Sequence, residues 1–187
     1  MDQGACWMTG GGVKFERVTG ERLATCTTDN KGPVDTVGGV VFPACSSEPS
    51  NGGQWNHVAH QDKLHIKGND VHTVSCGNVP GIEPGSESPV TPFNYIEFEE
   101  EGQVLGIHGN KMEPIDVTFF GRVEDRNEPG NEQSATSGED IDRYFLRVLD
   151  GDGNLVYLVD QDGDPDSVDP ITITGGNFQL HTSSCDN

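Results

Sequence analysis

The chain has 187 residues, and its 31 acidic residues against 11 Lys and Arg give a formal net charge of -20. That balance excludes the phosphate backbone of nucleic acid and an anionic membrane surface as natural partners, because both call for positive charge. With 25 Gly, 11 Pro and a hydrophobic fraction of 32%, the composition points to many turns between short elements, and the length predicts a single domain over 1–187. A charge this large repels itself unless it is spread, screened by salt or neutralised, so a saline or calcium-containing environment is expected.

The five cysteines, Cys6, Cys26, Cys45, Cys76 and Cys185, contain no CxxC pair and lack zinc-site spacing. In so polar a chain they read as disulfide candidates of an oxidising compartment, with at most two bridges, one cysteine left over and the pairing open. The competing reading is buried free thiols in the cytosol. No apolar run reaches the length of a transmembrane segment. Residues 1–4 lack the basic and apolar regions of a signal peptide, and the expectation is an extracellular or cell-surface protein whose signal has been removed.

Taken in order, residues 6–12 form a glycine-rich entry to a strand over 13–18. The triple glycine has neither the GxxxxGK[ST] frame nor a following helix, so a phosphate loop is set aside. Strands are expected over 21–28 and 34–42, then a loop over 45–53. Residues 52–76 hold four of the six histidines. Within them Lys63, His65 and Lys67 alternate with Leu64 and Ile66, and Gly68-Asn69 supplies a turn, predicting a hairpin that returns over 70–76. A Pro/Gly/Ser loop spans 77–92. Strands follow over 93–99, ending in the acidic run 99–101, then over 103–108 and 115–123. Acidic loops over 124–142 and 161–170 flank a hairpin formed by 142–149 and 154–160, and short strands over 171–174 and 178–181 close the chain. No helix-period stripe is present. The predicted fold is all-β: an antiparallel β-sandwich of about ten short strands with long acidic loops, a jelly roll being one such arrangement.

Several short motifs recur in an order that resembles a known family. Residues 9–12 (TGGG), 52–57 (GGQWNH), 63–68 (KLHIKG), 128–130 (EPG), 150–154 (DGDGN) and 175–181 (GGNFQLH) are similar to the repeated domain of large bacterial secreted and cell-surface proteins known as the post-COAP-1 type. The resemblance implies a secreted β-sandwich accessory module and no particular reaction. The loop over 77–92 and the extra histidines depart from the pattern, and they are where a private function would have been added.

Calcium needs six to eight converging oxygens, and alternating aspartates around a tight bend can supply them. Asp150, Asp152 and Asn154, and then Asp160, Asp162, Asp164 and Asp166, have that spacing and are the predicted calcium ligands, although neither loop has an EF-hand frame. The competing reading is solvated acidic turns. A second, looser acidic group comprises Glu124, Asp125, Glu128, Asp140 and Asp142. His65 and His72 face each other across the predicted hairpin and, with His181, form a candidate zinc or copper site. The competing reading is solvent-facing sheet residues. Trp55 and Tyr95 are candidates for stacking on a sugar ring.

Neither HExxH nor GxSxG is present, and with so many acids no carboxylate pair stands out for glycoside hydrolysis. The expectation is therefore a secreted, calcium-stabilised, non-catalytic module with a structural, adhesive or ligand-binding role, its partner a cell-surface glycan, a protein or a second copy. The alternatives are a metal-dependent hydrolase with a histidine-rich site near 57–72 and a subunit of an extracellular assembly.

Overall fold

The computed structural model describes residues 6–15, 35–43, 52–82, 91–126, 142–173 and 175–183. Ten strands run in chain order: β1 (Cys6–Phe15), β2 (Asp35–Val41), β3 (Gly53–Ala59), β4 (Leu64–Gly77), β5 (Tyr95–Gly106), β6 (Ile115–Glu124), β7 (Arg143–Asp150), β8 (Leu155–Val159), β9 (Ile171–Thr172) and β10 (Gly175–Thr182). All belong to one sheet of order β10-β1-β2-β3-β4-β5-β6-β7-β8, with β9 a second short partner of β7. The expectation of all-β antiparallel structure is met, but the sandwich is not: the strands form a single sheet curled into a half-barrel. The predicted strand over 21–28 lies outside the described residues.

Period-2 alternation sets the inner face. On β3, Gly53, Trp55, His57 and Ala59 are buried while Gln54 and Asn56 are exposed. Ile96, Phe98 and Val104 on β5, Val117, Phe119 and Val123 on β6, Tyr144, Leu146 and Val148 on β7, and Phe178 and Leu180 on β10 complete the core. Curling brings distant strands together: Trp55 meets Phe98, Tyr144 and Phe178, with ring centroids 4.9, 6.0 and 6.3 Å away. Breaks in register punctuate the pairings of β1 with both neighbours, of β4 with β3 and β5, and of β7 with β8. Such bulges bend and twist a sheet, which lets it curl.

The largest local departure from expectation is at Gly68-Asn69. There is no hairpin there, because β4 runs unbroken from Leu64 to Gly77 between β3 and β5. Gly68 pairs with Gly102 across β4 and β5, and a Cβ on Gly68 would lie 2.4 Å from the Phe119 ring. The glycine leaves room for an inward phenyl group and does not mark a turn. The bulge falls just after it, where Asp70 has a φ of 72°. Likewise the acidic run 99–101 does not end a strand, since β5 continues through it to Gly106.

At one end of the sheet Phe42, just past β2, bridges directly to β4, with Phe42 N donating to Val71 O (3.2 Å) and Thr73 N to Phe42 O (2.8 Å). The Cys6–Cys76 disulfide locks this corner, tying the start of β1 to the end of β4 across 70 residues of sequence. On the outer side of β7 and β8, Phe145 and Leu158 are buried as well. Arg147 Nη1 donates to Pro165 O at 2.8 Å, fastening the 160–170 segment to that face. Among the described residues no helix is long and apolar enough to cross a membrane.

Candidate functional site

Among the described residues, Asp35, Trp55, His57, Tyr144 and Tyr157 form a constellation of catalytic residue types on the inner face. Alternation points Asp35 and Val37 of β2 and His57 and Ala59 of β3 into the barrel, and the two strands pair Val37 with His57 and Asp35 with Ala59. Asp35 and His57 are therefore diagonal neighbours, and the curl delivers the tyrosines from β7 and β8. His57 Nε2 lies 3.0 Å from Asp35 Oδ2 and Nδ1 lies 3.2 Å from the Tyr144 hydroxyl. Trp55 Nε1 donates to the same hydroxyl at 3.2 Å, and Tyr157 donates to Asp35 Oδ2 at 2.6 Å.

Trp55 can only donate and the Asp35 carboxylate can only accept, so the proton direction between them follows. With the imidazole neutral, Tyr144 accepts from the indole and donates to His57 Nδ1, and His57 Nε2–H donates to Asp35. Asp35, Trp55, His57 and Tyr144 are wholly buried and Tyr157 nearly so. Burial, with the Asp35 charge assisting, holds the Tyr144 phenol far above its ordinary pKa, against the opposing effect of the Trp55 hydrogen bond. A low-dielectric interior strengthens each bond and penalises any group left alone. The array joins β2 and β3 to β7 and β8 from the inside.

The second acidic group closes the sheet from its edge. Glu124, Asp125 and Asp142 are 3%, 1% and 4% exposed, so they are no surface cation cluster. Asp142 Oδ1 accepts from Arg126 N (2.8 Å) and Oδ2 from Phe178 N (2.9 Å), while Asp125 Oδ2 accepts from Leu180 N (2.9 Å). Glu124 takes the Arg126 guanidinium by hydrogen bonds, and Arg122 Nε lies 3.3 Å from its Oε1 as an ion pair without a hydrogen bond. Glu128 and Asp140 lie outside the described residues.

The aspartate loops do not form the predicted calcium sites. Asp150 Oδ1 accepts from Asp152 N and Asn154 N at 2.9 and 2.8 Å, and Asn154 Nδ2 reaches Oδ2 at 3.1 Å. Asp160 takes Gly163 N and Asp169 N, Asp162 takes Asp164 N, and Asp164 takes Asp166 N. Each of these carboxylates is turned onto nearby backbone amides as an Asx turn. Alternate spacing suits that arrangement as well as a cation cage. Burial, together with the neighbouring Asp162, pushes the Asp160 carboxyl up to about 6. Asp162 is held low by its bond with Asp160. Among the described residues no group of three or more His, Cys, Asp or Glu can hold a metal ion, which overturns calcium, zinc and copper as cofactors.

The histidines are dispersed. Because β4 is continuous, His65 and His72 lie on one strand, roughly 20 Å apart at about 3.3 Å per residue. His65 Nε2 bonds Asn56 Oδ1 at 2.9 Å, while His72 sits 3.8 Å from Asp70 and 3.7 Å from Glu100. His181 stacks on Trp7 with centroids 4.1 Å apart, and Trp7 lies 6.2 Å from Phe42, giving an aromatic row across β10, β1 and the residue just past β2. Desolvation lowers the pKa of both His65 and His181. Of the aromatic candidates, Trp55 is enclosed in the core, and one face of the Tyr95 ring is covered by Arg122, 3.9 Å from its centroid. Of the cysteines, Cys6 and Cys76 are bonded to each other, and Cys26, Cys45 and Cys185 lie outside the described residues.

Asp35, Tyr144 and Tyr157 are the site residues that sequence reasoning missed, and His57 entered only as the start of the histidine-rich stretch 57–72. The signal was present on β3, where a histidine shares a parity with Trp55 and Ala59 and so must find a buried partner. Comparison of the chain with family models, curated proteins and solved structures gives no match.

Proposed function

We propose that the chain is a non-catalytic β module working at or outside the cell surface, in a structural, adhesive or ligand-binding role. The observation that carries this reading is the burial of the Asp35–His57–Tyr144–Tyr157 array, whose members bond one another across the half-barrel. Residue types that elsewhere perform acid–base chemistry here fasten strands together. The Cys6–Cys76 bridge supports an oxidising compartment. The ordered motifs resembling the post-COAP-1-type modules support the same placement.

The test pairs two assays. Purified protein is incubated with intact bacterial cells and isolated cell-wall polysaccharide, and separately with generic ester, glycoside and peptide substrates. Saturable retention on cells or polysaccharide, with no turnover, is the expected result. Turnover that is abolished in His57→Gln, while that variant stays folded by circular dichroism, would overturn the proposal.

A further inference from the structure

The sheet is closed in two chemically different ways, and the difference assigns a moving part. Every join along the path from β10 to β8 is a backbone ladder. The remaining join, between β10 and the end of β6 and start of β7, has no ladder among the described residues, and the side chains of Asp125 and Asp142 reach across it. On β10, Phe178 and Leu180 pair with Gly10 and Met8 of β1, yet their N–H groups turn the other way, to Asp142 Oδ2 and Asp125 Oδ2 at 2.9 Å each. Two charge-assisted bonds thus stand where a continuous ladder would run. Asp142 is the pivot, because its backbone oxygen also accepts Ile173 N at 3.0 Å, just before the chain enters β10.

We infer that β10 is a strap, and that the half-barrel opens locally at this carboxylate seam while the β3–β7 ladders stay intact. Release of β10 withdraws Phe178 from its stacks with Trp55 (6.3 Å) and Tyr144 (6.0 Å). It thereby uncovers the aromatic side of the buried polar array. The seam is the weak line because no backbone ladder crosses it among the described residues, whereas parting β5 from β6 breaks a ladder of ten residue pairs. As the seam parts, β10 keeps its pairing with β1, and β1 keeps its pairing with β2.

Residue-resolved amide hydrogen exchange on the intact protein tests this. In the unaltered protein, the Phe178 and Leu180 amides should exchange about ten-fold or more faster than the β5–β6 ladder amides, with a weaker denaturant dependence. Asp142→Asn, which keeps an acceptor and loses the charge, should accelerate Phe178 by about another ten-fold and leave the β5–β6 ladder unchanged. Exchange of Phe178 and Leu180 in step with the β5–β6 ladder would overturn the inference. So would an Asp142→Asn variant in which both regions accelerate equally. The measurement on the unaltered protein decides even if the variant does not fold.

Discussion

At the scale of single residues, burial and pairing separate groups that hold the fold from groups that strain it. Asp70 belongs to the second kind. Its φ is 72°, and its Oδ1 is buried without a hydrogen-bond partner among the described residues. Asp70→Gly removes both penalties and should stabilise the protein by about 1 kcal/mol, read as a higher urea midpoint at unchanged slope. Tyr144 belongs to the first kind, and its raised pKa gives a pH dependence of definite sign. The folded state keeps the phenol neutral while the unfolded state ionises near pH 10. The stability Tyr144 contributes is complete below that pH and is lost as pH rises above it. Thermal unfolding between pH 8 and 11 should show this alkaline limb, and Tyr144→Phe should flatten it. The inward parity of His57 was legible in the sequence, but its partner was not, because Asp35 sits on the inner face of the neighbouring strand, 22 residues away.

At the scale of elements, the strands expected over 115–123, 142–149 and 178–181 fall on β6, β7 and β10, and the turn expected at residues 150–153 lies between β7 and β8. Gly68-Asn69 misled because glycine serves two physical purposes, a turn and a gap for a neighbouring ring, and local sequence does not distinguish them. The structure separates the two by mutation. Gly68→Ala would push a methyl group to 2.4 Å from the Phe119 ring and should cost about 2 kcal/mol, whereas an exposed turn would tolerate it. Guanidinium unfolding of that one variant settles which role the glycine has. The Asp150 and Asp160–Asp166 loops misled in the same manner, since Asx turns and cation cages share a spacing. Calcium titration should leave the amide resonances of Asp152 and Asp164 where they are. The disulfide corner joins β1 to β4 across 70 residues, and replacing both Cys6 and Cys76 by Ser should lower stability by about 4 kcal/mol on the chain-entropy estimate.

At the scale of the whole molecule, the sequence reached the class and missed the closure. A sandwich and a half-barrel both bury one face of each strand, so their hydrophobic patterns are alike. What tells them apart is which distant residues meet. Here these are Asp35 with Tyr157, 122 positions apart, and Asp125 with Leu180, 55 apart. Both are polar contacts to aspartate, a residue type that reads as solvated loop in a chain carrying 31 acids. The acidic composition hid the few carboxylates that the fold buries. The central claim, that one sheet curls until β2 and β8 meet through a buried polar array, is tested most directly by a double-mutant cycle on Asp35→Asn and Tyr157→Phe. Urea unfolding of the four proteins should give a coupling energy of about 1–3 kcal/mol, whereas effects that add to within about 0.3–0.5 kcal/mol would show that these side chains do not meet and would contradict the closed half-barrel.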